Sequence, residues 1–218
     1  ALPEPEVTGA GVTAQASTTY LLISGQVTTG DSVSFQPIWQ VEASSAPVNP
    51  PAGTAYCIEM RDGGGSVLQS QCFDLSFFNY EAGQAVTSDF FMVSLPLDAG
   101  AASIVLTHGA EDLGAIGASA NPPQVTLLAP SGGESLGESV TVEWKADDLD
   151  SDDLAYNVLY SADGVAWEPL ALNITGTTSL ELDMGLAAGS DGGRFRVEAS
   201  DGFHTGYDES GLVTVGNR

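Results

Sequence analysis

The sequence predicts an all-β protein built from two tandem antiparallel β-sandwiches. Hydrophobic residues make up 43% of the chain and charged residues only 16%, and 26 glycines and 11 prolines punctuate it. Such a composition favours many short strands joined by turns over helices. The length of 218 residues suits two domains of about 100 residues each better than one.

The first predicted sandwich covers residues 19–121. Residues 1–18 are dominated by Pro, Glu and small residues, so we expect a linker or a disordered N-terminus there. Short β-rich runs then alternate with turn clusters, and this spacing is typical of a sandwich. The seven predicted strands are residues 20–24, 33–41, 54–61, 67–75, 90–95, 104–107 and 113–118.

The two cysteines lie on the arms of one predicted hairpin. A glycine-rich turn at residues 62–67 places Cys57 directly opposite Cys72. Directly opposed residues approach to about 4.5 Å between Cα atoms, which is near the short end of disulfide geometry. We expect a disulfide, which indicates an exported protein. The alternative is a pair of buried free thiols.

The second predicted sandwich covers residues 122–218. It begins at Pro122 and Pro123, because two prolines in succession interrupt a strand ladder and stiffen the joint. In the sixth strand of this half, three apolar residues alternate with Arg194, Arg196 and Glu198, so we expect one face buried and one face in water. The predicted strands are residues 124–129, 139–145, 154–161, 167–172, 179–183, 194–200 and 212–215.

A sequence pattern in the second half supports a family resemblance. The pattern consists of VTVEWKADDLDSDDLAYNVLYSADGVAWEPLA, followed by RFRVEASDGFHTGYDES and a last strand. It resembles immunoglobulin-like and fibronectin type III-like modules of bacterial cell-surface and secreted proteins, in which an Asp-rich loop separates the second strand from a Tyr-bearing third. The segment GTAYCIEMRDGGGSVLQSQCFDLSF is similar to sandwich domains that precede such modules. The resemblance implies about seven strands in the second sandwich and an accessory segment of a larger protein.

The charge of the chain limits its partners. Twenty-nine acidic residues against five Lys and Arg give a net charge of −24, which repels phosphates and anionic headgroups. We therefore expect no nucleic-acid partner. We also expect no membrane insertion, since no apolar run approaches the about 20 residues of a spanning helix. Because the sequence has no initiator Met and no basic-then-apolar leader, we expect a mature product or a piece of a longer protein. The expected disulfide and the resemblance together predict an extracellular location, secreted or on a bacterial cell surface.

Five aspartates crowd the loop between the second and third strands of the second half: Asp147, Asp148, Asp150, Asp152 and Asp153. Carboxylates at alternate positions can wrap a short loop around one Ca²⁺. In a seven-strand sandwich the connection after the sixth strand lies at the same end, so Asp201 and Asp208 should approach the loop. We predict a calcium site from these seven aspartates, facing the joint between the sandwiches. The alternative is a solvated acidic loop.

Catalytic patterns in the sequence lack their partners. Residues 133–137 satisfy G-x-S-x-G, but the motif requires a strand before the Ser and a helix after it. Here the Ser lies between turn residues and another strand, and His204 is the sole downstream histidine. Neither His108 nor His204 belongs to a zinc motif, and we expect both in surface loops. We therefore expect a non-enzyme.

The expected function is that of a spacer, stability or adhesion segment. Its partners would be other domains of the parent protein, a surface protein or a glycan. The alternative is a carbohydrate-binding accessory module that uses Trp39, Phe77, Phe78 and Tyr80 as a stacking surface. A third reading is a fragment of a secreted hydrolase whose catalytic unit lies outside this chain.

Overall fold

A computed structural model describes residues 17–150 and 153–216, which form nineteen β-strands and no helix. The prediction of an all-β protein is confirmed. Accordingly, nothing in the described part of the chain is a helix long and apolar enough to cross a membrane.

The N-terminal half, residues 17–121, contains two antiparallel sheets. In the first, β1 pairs along one edge with β2 and β3 and along the other with β8. The second has the order β10-β9-β4-β5, and a separate short hairpin is formed by β6 and β7. The strands are β1 (Thr18–Thr28), β2 (Val33–Phe35), β3 (Trp39–Ala43), β4 (Tyr56–Arg61), β5 (Val67–Phe73), β6 (Phe78–Asn79), β7 (Gln84–Ala85), β8 (Ser88–Pro96), β9 (Ser103–His108) and β10 (Glu111–Gly117).

The two large sheets of the N-terminal half share one hydrophobic cluster. Side chains alternate between the two faces of a strand, and on β1 the inward set includes Leu21 and Ile23, which are fully buried. They meet Ile58 of β4 and Leu106 of β9 in the same cluster. Face-to-face contact of this kind stabilises a two-layer unit by removing apolar surface from water.

Cys57 and Cys72 are cross-strand neighbours in the β4–β5 hairpin and form a disulfide. Their Cα atoms are 3.9 Å apart. The predicted pairing is confirmed, and the alternative of free thiols is wrong.

The C-terminal half, residues 122–150 and 153–216, also contains two large sheets. One has the order β11-β13-β16 and the other β12-β19-β17-β14-β15, with β18 pairing the second part of β17. Pairing is antiparallel except between β12 and β19. The strands are β11 (Gln124–Ala129), β12 (Ser135–Leu136), β13 (Ser139–Asp147), β14 (Ala155–Ser161), β15 (Glu168–Ile174), β16 (Ser179–Asp183), β17 (Ser190–Ser200), β18 (Thr205–Glu209) and β19 (Val213–Val215).

A second hydrophobic cluster fills the space between these sheets. Trp144 of β13 packs edge to face on Tyr156 of β14, with ring centroids 5.3 Å apart. Tyr160 and Phe195 are in contact in the same cluster, both nearly or fully buried. The period-two pattern of the sequence therefore identifies the inward faces of β13, β14 and β17 correctly.

The structure adds the two-residue strands β6, β7 and β12, which were not predicted, and β1 is longer than predicted. Three further differences bear on the interface between the halves. The run at 33–41 is two strands, because Pro37 has no N–H to continue the ladder. The segment after the 201–204 turn forms β18, which was not predicted. The face of β17 that was predicted to lie in water is partly buried. Arg194 is partly exposed, but Glu198 is only 8% exposed and Ser200 only 1%. The N-terminal half covers that part of the strand.

Candidate functional site

The acidic loop is tied to itself and to the segment that links the halves. The Asp150 N–H donates to Asp148 Oδ1 at 2.7 Å, which closes a short turn of the type that Asp commonly makes. Asp150 in turn accepts from the backbone N–H of Asn121 at 2.7 Å and from its side-chain amide at 2.9 Å. These hydrogen bonds lower the pKa of Asp150, the side-chain bond contributing most.

Asp201 lies in the turn between β17 and β18 and its side chain is fully buried. It accepts hydrogen bonds from Ser119 Oγ at 2.6 Å and from the backbone N–H groups of Phe203 and His204 at 2.7 and 2.6 Å. The His204 Nδ1 is 2.9 Å from Ser119 Oγ. Asp201 therefore holds the turn in shape and bonds it to the end of the N-terminal half.

The remaining predicted ligands have different surroundings. Asp208 accepts from the backbone N–H groups of Leu127 and Glu209 at 2.8 and 2.9 Å. Asp147 is exposed at the end of β13. Asp153 is exposed on an open cleft of about 690 Å³ that also includes Pro37 and Thr175. Asp152 lies outside the described residues.

Two observations on the acidic side chains concern metal binding. Among residues 17–150 and 153–216, no three Asp, Glu, His or Cys side chains converge as metal ligands do. In contrast, Asp148 Oδ2 is buried and has no hydrogen-bond partner among the described residues. A buried carboxylate oxygen of this kind is costly unless a donor or a cation reaches it.

Direct contacts join the two halves around the turn that Asp201 shapes. Ser200 Oγ donates to the Ile38 carbonyl at 2.7 Å, and the Ile38 N–H donates to the Gly202 carbonyl at 3.3 Å. The Gln40 N–H donates to Thr205 Oγ1 at 2.9 Å. Across the interface the halves thus share backbone and side-chain hydrogen bonds, which fix their relative orientation.

Phe203 extends this joint into the core. Although it belongs to the C-terminal half, it is 2% exposed and packs in the hydrophobic cluster of the N-terminal half. Nearby, a Cβ on Gly206 would collide with the carbonyl oxygen of Pro123, so β18 lies directly against the linking segment. We use "the joint" below for residues 119–123 together with the turn 201–204.

Glu198 is a buried polar residue on the C-terminal side of the interface between the halves. Glu198 is buried, and its two partners are distant: the Asn157 side-chain N–H at 3.4 Å and Arg196 Nη1 at 3.7 Å. Burial raises the pKa of Glu198, and the Asn157 amide and the Arg196 charge only partly oppose this. The Arg196 guanidinium itself lies over the rings of Trp167 and Tyr207, 4.1 and 4.4 Å from their centroids.

The aromatic residues predicted to form a stacking surface do not share one exposed surface in the structure. Phe78 and Tyr80 are 40% and 79% exposed, and their ring centroids are 5.1 Å apart in an edge-to-face arrangement. Phe77 packs against the N-terminal cluster. Trp39 is only 9% exposed and donates its indole N–H to Asn173 Oδ1 at 3.1 Å, so it belongs to the interface between the halves.

No sequence pattern indicates a role for Ser119, Phe203 or Glu198, and the pattern predicts both histidines in surface loops. His108 is instead the last residue of β9, stacked on Tyr56 with centroids 4.3 Å apart, and His204 lies in the joint. The one sequence feature that indicates this interface is Phe203, because a large apolar residue in a turn needs a packing partner outside its own sandwich.

Comparisons with known proteins assign no family. No known family matches the sequence, and no curated protein matches it. Among solved structures, part of a β-1,2-glucanase from Parabacteroides distasonis matches this chain with a TM-score of 0.32 and 16% identity. The match covers 93% of this chain and 28% of the glucanase chain, and at this level it indicates neither a common fold nor an activity.

Proposed function

We propose that this chain is a non-catalytic accessory segment of a larger bacterial surface or secreted protein, in which two β-sandwiches act as one rigid spacer. The observation that carries the proposal is the position of Phe203, a C-terminal side chain packed in the N-terminal cluster. A flexible pair of domains would be joined by a solvated linker with few contacts. Here hydrogen bonds and a shared aromatic ring join the halves.

The same proposal assigns the C-terminal half to the immunoglobulin-like, fibronectin type III-like class. Its support is a three-stranded sheet, β11-β13-β16, that shares one cluster with the sheet containing β19, β17, β14 and β15. The Cys57–Cys72 disulfide supports an extracellular location, because disulfides persist in oxidising compartments.

The rigid-spacer proposal is tested by ¹⁵N relaxation of the intact 22.4 kDa chain. A spacer that behaves as one body requires the amides of both halves to report one overall tumbling time. Two different tumbling times, or a scattering profile that requires a mobile hinge at residues 119–123, would contradict it. An insertion of two glycines after Ala120 is the positive control, because it should separate the two times.

Within this proposal the acidic loop binds Ca²⁺ and stiffens the joint. The supporting observation is the buried, unpartnered oxygen of Asp148, beside the Asp150 carboxylate that bonds Asn121. Hard oxygen ligands of this kind suit Ca²⁺. A cation that binds only the folded chain raises its melting temperature, so millimolar Ca²⁺ should do so more than Mg²⁺ does.

A matched pair of variants separates a site from general charge screening. Asp98 makes a turn like that of Asp148, because its Oδ1 accepts from the Gly100 N–H at 2.8 Å. It lies outside the acidic loop. Asp148→Asn should abolish the calcium shift, whereas Asp98→Asn should leave it unchanged. Equal shifts with Ca²⁺ and Mg²⁺, or equal loss in both variants, would favour the solvated loop.

A second candidate function, carbohydrate binding, is favoured by one observation. Phe78 and Tyr80 are exposed as neighbouring rings, and exposed aromatic faces are a common means of contacting sugar rings. A glycan array should then detect binding that Phe78→Ala removes and Phe90→Ala retains, since Phe90 is 71% exposed on another strand. Binding that both substitutions leave intact would exclude this surface.

A further inference from the structure

A cleft between the two halves has the size and composition of a ligand site. It encloses about 310 Å³ and lies between the first sheet of the N-terminal half and strands β14 and β15. A second cleft of about 460 Å³ adjoins it, and the two share Val41, Leu159 and Glu198. Ligand sites commonly have volumes of about 300–1,000 Å³ and often form where domains meet.

The walls of the cleft are mostly apolar, although Trp39, Ser24 and two asparagines also line it. Leu22, Val41 and Met92 line one side, and Leu159 and Leu172 line the other. Met92 is 64% exposed and Leu172 57% exposed, so apolar side chains reach the mouth of the cleft. Exposed apolar residues gathered around a concave surface indicate a binding site more often than scattered ones do.

One charged side chain lies at the base of this apolar space. Glu198 lines both clefts and is 8% exposed, and its carboxylate has only the two distant partners described above. A buried carboxylate is costly when its oxygens lack close donors. The geometry therefore leaves room for a donor supplied from the cleft.

The charge of the surroundings selects the kind of donor. The chain has a net charge of −24, and a second carboxylate, Glu42, lines the adjoining cleft. The Arg196 guanidinium, whose Nη1 is 3.7 Å from Glu198 Oε1, offsets only part of this field. It also pairs with Glu209, whose Oε1 accepts from its Nε–H at 3.1 Å. Anions are thus repelled and a cation is attracted.

We propose that this cleft binds an organic ammonium: an amine whose nitrogen bonds the Glu198 carboxylate and whose aliphatic or aromatic body lies between Met92 and Leu172. A sugar fits less well. Most of its hydroxyl groups would lose water against mostly apolar walls, and the Arg196 guanidinium already covers one face of both Trp167 and Tyr207. An ammonium on an apolar body matches both the walls and the base.

The test compares three probes of the same length on the intact chain: hexylammonium, 1-hexanol and hexanoate. Titrations followed by ¹H–¹⁵N correlation spectra in about 0.15 M salt, where surface charges are screened beyond about 8 Å, give the affinity and the location. Hexylammonium should bind at least ten-fold more tightly than the other two and shift amides of β14 and β15. Equal affinities for the three probes, or tighter binding of a saccharide, would overturn the proposal.

Two pairs of variants localise the effect. Glu198→Gln should weaken hexylammonium binding at least ten-fold, whereas Glu181→Gln, on the distant strand β16, should not. Met92→Lys places a positive charge at the mouth and should also weaken binding. Its control, Val67→Lys, lies on β5 in the other sheet of the N-terminal half and is 50% exposed. Unchanged affinity in Glu198→Gln or Met92→Lys would mean that the amine binds surface carboxylates, and would refute the site.

Discussion

Truncation of Phe203 tests whether the two halves form one structure. Phe203 is 2% exposed, and its ring packs among N-terminal residues although the turn that carries it follows β17. Phe→Ala at such a position removes the transfer free energy of the ring and leaves a cavity, which together cost about 3–5 kcal/mol. Typical domains have only about 5–15 kcal/mol of stability, so the loss should be large.

The location of the loss matters as much as its size. In Phe203→Ala, hydrogen exchange should accelerate in β4 and β9, which belong to the cluster that loses the ring. Phe195→Ala is the matched control, because Phe195 is fully buried in the C-terminal cluster. That substitution should accelerate exchange first in β13 and β14. Urea denaturation measures the total change in the free energy of unfolding for both variants.

A decrease of less than about 1 kcal/mol in Phe203→Ala, the size of an ordinary surface or marginal substitution, would refute this reasoning. So would exchange in β4 and β9 that matches the wild-type chain. Phe203→Leu, which keeps most of the buried area, should recover most of the lost stability.

Three further outcomes follow from single side chains. Burial raises the pKa of Glu198 above its usual 4.5, so the protonated side chain stabilises the fold fully below pH 4.5, and this contribution is lost as pH rises through the folded-state pKa. The stability of Glu198→Gln, measured by urea denaturation, should therefore rise relative to wild type as pH increases above 4.5. A difference that stays constant with pH would contradict this. Replacing Cys57 and Cys72 by Ala releases a loop with a sequence separation of 15 and should lower the free energy of unfolding by about 3 kcal/mol, whereas a loss near zero would show that the hairpin is equally ordered without the bond. Asp201→Ala leaves the Phe203 and His204 N–H groups without their acceptor and should lower the melting temperature by an amount equivalent to about 1–3 kcal/mol, with Asp98→Ala as the exposed control.

Much of the fold is readable from local pattern. Alternation of apolar and polar residues identifies the strands, and the placement of turns identifies the hairpin that pairs Cys57 with Cys72. These features depend on neighbours along the chain or on one adjacent strand, so the sequence carries them directly. The candidate calcium ligands were also identifiable as a cluster of aspartates, because local crowding of carboxylates is a property of sequence.

The partner of each side chain depends on tertiary structure. The sequence predicts Asp150 and Asp201 as metal ligands, and in the structure they accept hydrogen bonds from Asn121 and Ser119 at the joint. Alternation predicted Glu198 in water, and it is buried because the N-terminal half covers that end of β17. A period-two pattern records which face of its own sheet a residue occupies, but it carries no information about a second body placed against that face.

The sequence alone therefore determined an all-β chain, its hairpin disulfide, the positions of most strands and a strongly negative surface. Only the tertiary structure decided that Phe203 completes the core of the other half and that a cleft with a buried carboxylate lies between the halves. Both depend on contacts between residues more than 100 positions apart, such as Ser200 with Ile38. Such contacts arise from how whole sheets pack, which no local pattern encodes.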